Sequence, residues 1–176
     1  MTRKILIISE QSYQPINRAA YRKMTDLKLQ VDVLVPYPKG WMPPRQGVFP
    51  IISMPLINYH PRTSLLAINK DIKRKLIACD HLILESDLGT IMLFQIIIFR
   101  LCGGYKFSIS ILTLQNIYKN YFKNALEQFK LFKLKHVVIS LGLHSLERLN
   151  AAWVKNIFTV SDDSSAIHKI KFPNVN

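Results

Sequence analysis

The sequence predicts one α/β domain, a Rossmann-like parallel sheet with helices on both faces. Three observations predict it. Short apolar, β-branched runs alternate with longer amphipathic stretches along the chain. The runs are apolar at nearly every position, as strands buried on both faces of a parallel sheet must be. The length of 176 residues and a hydrophobic fraction of 49% suit one ordinary domain with a substantial core.

The elements follow in order. Lys4–Ser9 (KILIIS) reads as a first strand and Val31–Val35 (VDVLV) as a second, with a helix over 17–29 between them. Ile51–Ile57 is a third strand, which Pro55 places at an edge because proline cannot donate to a ladder. Thr63 or Ser64 is expected to cap a helix running to Ile77. His81–Leu84 (HLIL) is a strand, followed by an apolar helix over 89–101 that Gly103-Gly104 ends. Lys106–Leu114 (KFSISILTL) is a strand. A helix over 117–133 comes next, its Tyr118, Phe122, Ala125, Phe129 and Phe132 spaced to bury one face. His136–Ser140 (HVVIS) reads as a strand, 145–152 as a helix and Asn156–Val160 as a last strand. The domain is expected to span 1–160, with 161–176 a loop or tail. The proline-rich segment 36–50 is a surface loop, since β-α alternation resumes directly after it.

Composition bounds the function. A net charge of +13 predicts attraction to anionic material, although lysines also keep an apolar domain soluble. Cys79 and Cys102 lack a CxxC partner and read as buried thiols in a reducing compartment. No secretory signal opens the chain. The longest apolar stretch, 88–99, falls short of the roughly 18 residues that a membrane crossing needs.

Several chemistries are disfavoured. Ser9-Glu10-Gln11-Ser12-Tyr13-Gln14-Pro15 follows the first strand without a glycine, so neither a dinucleotide fingerprint nor a P-loop forms there. The five histidines show no metal spacing, and no serine occupies a G-x-S-x-G elbow. Neither a metal nor a cofactor is expected. The basic residues are scattered without a nucleic-acid-binding pattern, so no nucleic-acid partner is expected.

Ligands of open α/β sheets bind outside the carboxyl ends of the strands. Four places meet that description: Glu10–Arg18, Glu85-Ser86-Asp87, Thr113–Asn116 and Leu141–Ser145. Each offers polar groups to a sugar hydroxyl or a phosphate. Asn116 and Asp87 equally suit helix caps.

The stretch Gln115-Asn116-Ile117-Tyr118-Lys119-Asn120-Tyr121 resembles a motif of a subgroup of glycosyltransferase family 4, in the N-terminal domain of the GT-B fold. Weaker patches keep the family's order: Tyr21-Arg22, Val31–Pro36, Trp41, His81–Asp87, Glu127, His136–Ser140, Leu146–Leu149 and Lys155–Ile157. The resemblance implies transfer of a sugar from a nucleotide-sugar donor to a lipid-linked, polysaccharide or small-molecule acceptor. It places the acceptor in this domain and the donor in a second one, with the nucleotide-sugar a substrate and not a cofactor. Gln115 and Asn116 would face the donor sugar. Glu85 and Asp87 would contact an acceptor hydroxyl or act as general base, and Arg18 and Arg22 would meet an acceptor phosphate. The glycine-rich loop that many relatives carry after strand one is missing. The donor domain has no counterpart in the 176 residues, so the chain is expected to be inactive in isolation. The alternative is a non-catalytic binding protein of the same fold. Lys119, Lys123, Lys130 and Lys133, with Lys70, Lys73, Arg74 and Lys75, would favour a cytoplasmic protein peripheral on the inner leaflet.

Overall fold

The computed structural model describes residues 3–47, 49–60, 62–113, 121–131, 133–159, 165–166, 169 and 172, without the Ala20 side chain. Its elements are β1 (Lys4–Ser9), α1 (Ala19–Asp26), β2 (Gln30–Tyr37), β3 (Ile52–Asn58), β4 (Leu65–Leu66), α2 (Lys70–Ala78), β5 (His81–Glu85), α3 (Ile91–Cys102), β6 (Ser108–Thr113), α4 (Tyr121–Lys130), α5 (Leu134–Ala151) and β7 (Asn156–Thr159). Two 3-10 turns, Gln11–Tyr13 and Pro15–Arg18, lead into α1.

The strands form one sheet in the order β4-β3-β2-β1-β5-β6-β7. All pairings are parallel except β3 with β4. This is a Rossmann-like α/β fold whose strand order reverses between β1 and β5. Period-2 alternation divides the core. Leu6, Ile8, Leu34, Leu82, Leu84, Ile109 and Ile111 meet α2, α3 and α5 residues on one face. Ile7, Val33 and Val35 meet Tyr21 of α1, Phe49 and Ile51 on the other. Leu6, Ile7 and Ile8 are each 1% exposed, and burial of such a side chain contributes about 1.5–3 kcal/mol.

β3 is second from the edge and not at it as Pro55 suggests: the two-residue β4 pairs beyond it, but only past Pro55, at Leu56 and Asn58. Gln95 of α3 closes that edge. Its amide accepts from Leu66 N at 2.8 Å and donates to Leu66 O at 2.9 Å, in place of a further strand. α3 ends at Gly103-Gly104; Gly104 is left-handed at φ 64, and the Tyr105 ring occupies the space of a Gly103 Cβ. Among the described residues no helix is long and apolar enough to cross a membrane.

Five other expectations need correction. The helix after β4 is capped by Asn69, whose side chain accepts from Asp71 N and Ile72 N, and not by Thr63 or Ser64. HVVIS is no strand: it lies within α5, because β7 already pairs with β6 and 134–151 instead packs against α4. On α4 only Ala125 is buried, while Phe122 and Phe129 stay half-exposed or more. Cys79 is buried as expected, but Cys102 is exposed at the end of α3. The sheet is not buried throughout on both faces, since His81, Ile83 and Leu112 are only partly covered and Phe158 is exposed. Tyr118, Lys119, Phe132 and most of 161–176 lie outside the described residues; Phe172 is buried in the larger core.

Candidate functional site

The reversal of strand order between β1 and β5 splays the chain at their carboxyl ends and opens a crevice. A cavity of about 480 Å³ lies there, lined by residues that include Glu10, Asn17, Tyr59, Arg62, Glu85, Ser86, Asp87, Thr90 and Leu112. Parallel register sets Ser9 beside Glu85 and Glu85 beside Leu112, so the carboxyl ends of three strands share one rim.

Glu85 is held from below. Tyr21 Oη donates to Glu85 Oε1 at 2.6 Å, and Ser9 Oγ donates to Oε2. Ser12 knits this network together, its hydroxyl 2.7 Å from Ser9 Oγ and 3.1 Å from Tyr21 Oη. Burial, then the bond to Glu85, pushes the Tyr21 phenol up to about 12, so it remains a donor at neutral pH. An ionised carboxylate has about four acceptor positions, so two donors still leave Glu85 capacity to accept from a ligand. Asp87 is anchored separately, accepting from Thr113 Oγ1 at 2.7 Å. Burial pushes the Glu10 carboxyl up as well.

The turn that carries Asp87 rests on α5. Asn150 Nδ2 donates to Leu88 O at 2.6 Å and Thr90 O at 3.1 Å. Gly89 sits so close to Glu147 that an added Cβ would stand 3.3 Å from its Cγ. Thr90 Oγ1 donates to Asp87 O at 3.1 Å and tightens the same turn.

Arg62 arrives from the β3–β4 connection. Asn58 brackets that turn, donating to Thr63 O and accepting from Leu65 N, while the Arg62 carbonyl accepts from Ile91 N at 2.8 Å. That bond satisfies one of the unpaired first-turn N–H groups of α3. The Arg62 guanidinium lies 5.4 Å over the Tyr121 ring of α4.

The expected site residues therefore divide. Glu85 and Asp87 come together in the cavity wall. Arg18 does not serve a phosphate: it is 2% exposed and donates to the carbonyls of Ser12, Arg45 and Tyr13. Its charge is spent on pinning three loop carbonyls, as buried guanidinium groups must be. Arg22 is exposed on α1 and lies apart from the cavity lining. Gln115 and Asn116 lie outside the described residues. The fourth expected strand end, Leu141–Ser145, is helix. Sequence reasoning missed Tyr59 and Arg62, because a turn beside a two-residue strand carries no periodic signal.

Among the described residues no group of three or more His, Cys, Asp or Glu side chains could hold a metal. Among the described residues the wall sets three carboxylates, Glu10, Glu85 and Asp87, against one guanidinium, Arg62. Such a surface favours hydroxyl or amine donors over phosphate. The chain matches no protein-family model, no curated protein and no solved structure.

Proposed function

We propose that the chain is the acceptor-side domain of a glycosyltransferase. In this reading the cavity binds a hydroxyl-rich acceptor, lipid-linked or free, and a second domain holds the nucleotide-sugar. The carrying observation is the pair Glu85 and Asp87 at the strand-order reversal, one fixed by Tyr21 and Ser9, the other by Thr113. Fixed carboxylates orient an acceptor hydroxyl and receive its proton as the oxygen attacks the donor carbon, whose bond to the phosphate oxygen breaks to release the nucleotide. The excess of carboxylates among the described lining residues supports a neutral sugar. The resemblance around Gln115-Asn116 supplies the link to sugar transfer. A cytoplasmic location belongs to the same reading.

Isothermal titration with methyl glycosides and with nucleotide-sugars tests this. Glycoside binding that Glu85→Gln weakens about tenfold, with no uptake of free nucleotide-sugar, is expected. Tight binding of a nucleotide-sugar to the isolated chain, insensitive to Glu85, would count against it.

A further inference from the structure

We infer that the α4–α5 hairpin is a docking surface for an anionic lipid bilayer, on which it lies in the plane of the interface. α5 is turned inside out relative to an ordinary surface helix. Three of its polar residues, Ser140, Glu147 and Asn150, are buried together with Ala151, while Ser145 is exposed on the outer side. Leu134, Val138, Leu141 and Leu149 are 64%, 69%, 40% and 56% exposed. At about 100° per residue these four fall within an arc of about 80°, opposite the buried set. The polar inner face has a use, since Asn150 holds the turn at 88–90. Among the described residues, none buries the apolar outer face.

α4 repeats the pattern with Phe122, Leu126 and Phe129, all at least half exposed and spaced four and three apart. Asn124 Nδ2 donates to Ser140 Oγ at 2.9 Å and ties the helices together. The Phe122 ring lies 5.7 Å from that of His144, so the α4 stripe borders α5.

Charge selects the occupant. Lys130, Lys133 and Lys135 are exposed where α4 turns into α5, in a chain of net charge +13. An apolar stripe edged by lysines is the pattern of a helix lying in a bilayer interface with anionic headgroups. The other basic cluster is less suited: Lys75 is bound to Asp32 at 2.8 Å, and α2 buries its apolar Ile72 and Leu76. The hairpin also borders the cavity, through Arg62 over Tyr121, so docking would bring the cavity mouth near the membrane. The inference stands independently of the sugar-transfer reading.

Flotation with phosphatidylcholine vesicles, with and without about one third phosphatidylglycerol, tests it. The chain is expected to float only with the anionic vesicles, and less as salt rises. Phe129→Glu with Val138→Glu, at sites open to solvent, should cut binding at least tenfold while far-UV dichroism and melting stay unchanged. Lys130→Glu with Lys133→Glu should reduce it several-fold. Glu85→Gln should alter glycoside titration and leave flotation untouched. Equal flotation of wild type and the Phe129/Val138 variant would overturn the inference. So would a dimer that Val138→Glu disperses in a chain that binds no vesicles.

Discussion

Tyr21 Oη donates to Glu85 Oε1 across 2.6 Å, tying the first helix to the carboxyl end of β5. The bond joins a core residue, 5% exposed, to a carboxylate on the cavity wall. Tyr21→Phe keeps the ring and removes the donor. We expect a loss of about 1–2 kcal/mol in urea unfolding, with weaker glycoside binding in titration. Unchanged binding would show that Glu85 is positioned without Tyr21.

The same phenol sets an alkaline limit. Its folded value of about 12 lies above the ordinary 10.0, so the folded state holds the proton more tightly. Its contribution is complete below pH 10 and is lost as pH rises towards 12, amounting to about 2 kcal/mol. Wild type minus Tyr21→Phe, followed by denaturant unfolding across that range, should trace the loss. His81 acts in the opposite direction. Burial, then Lys155 and Arg3, pushes its imidazole below the ordinary 6.5. The neutral ring is preferred, so stability present above pH 6.5 falls as acid charges the unfolded chain first.

The two arginines should part sharply. Arg18→Ala leaves the carbonyls of Ser12, Tyr13 and Arg45 without their donor in a buried place. A loss of about 3 kcal/mol or more is expected. Arg22→Ala, on the exposed side of α1, should change stability by less than about 0.5 kcal/mol. Melting curves of both variants decide this.

Asn150→Ala frees the carbonyls of Leu88 and Thr90 and loosens the turn behind Asp87. We expect about 1–3 kcal/mol of destabilisation, and faster amide exchange at 88–91 than elsewhere in the sheet. Exchange rising evenly over the molecule would point to a general packing defect instead.

The sheet was legible because its strands are short apolar runs whose partners do not change their character. KILIIS, VDVLV, HLIL and SISILT all fall where their β-branched content puts them. HVVIS has the same local appearance and is helix. Its fate depends on α4 beside it and on what its outer face meets, neither of which a five-residue window contains. The burial assumed for Phe122 and Phe129 failed for a related reason: spacing reveals that a helix has an apolar face, and not where that face points. The strand-end rule drew attention to Glu85 and Asp87, which both line the cavity, while the role expected of them came from the resemblance. Arg18 was misread because an arginine after a first strand looks alike whether it meets a phosphate or three backbone carbonyls. Arg62 is held at the cavity in part by the bond of its carbonyl to Ile91 N, a relation 29 residues apart in sequence.

The central claim is that the Glu85–Asp87 rim is an acceptor site for a hydroxyl-rich ligand. Amide chemical shifts of the labelled chain, titrated with a methyl glycoside, test it most directly. Shifts confined to residues 9–12, 59–64 and 85–90, and lost in Glu85→Gln, are the predicted result. Saturable shifts elsewhere, or a full response in Glu85→Gln, would contradict it.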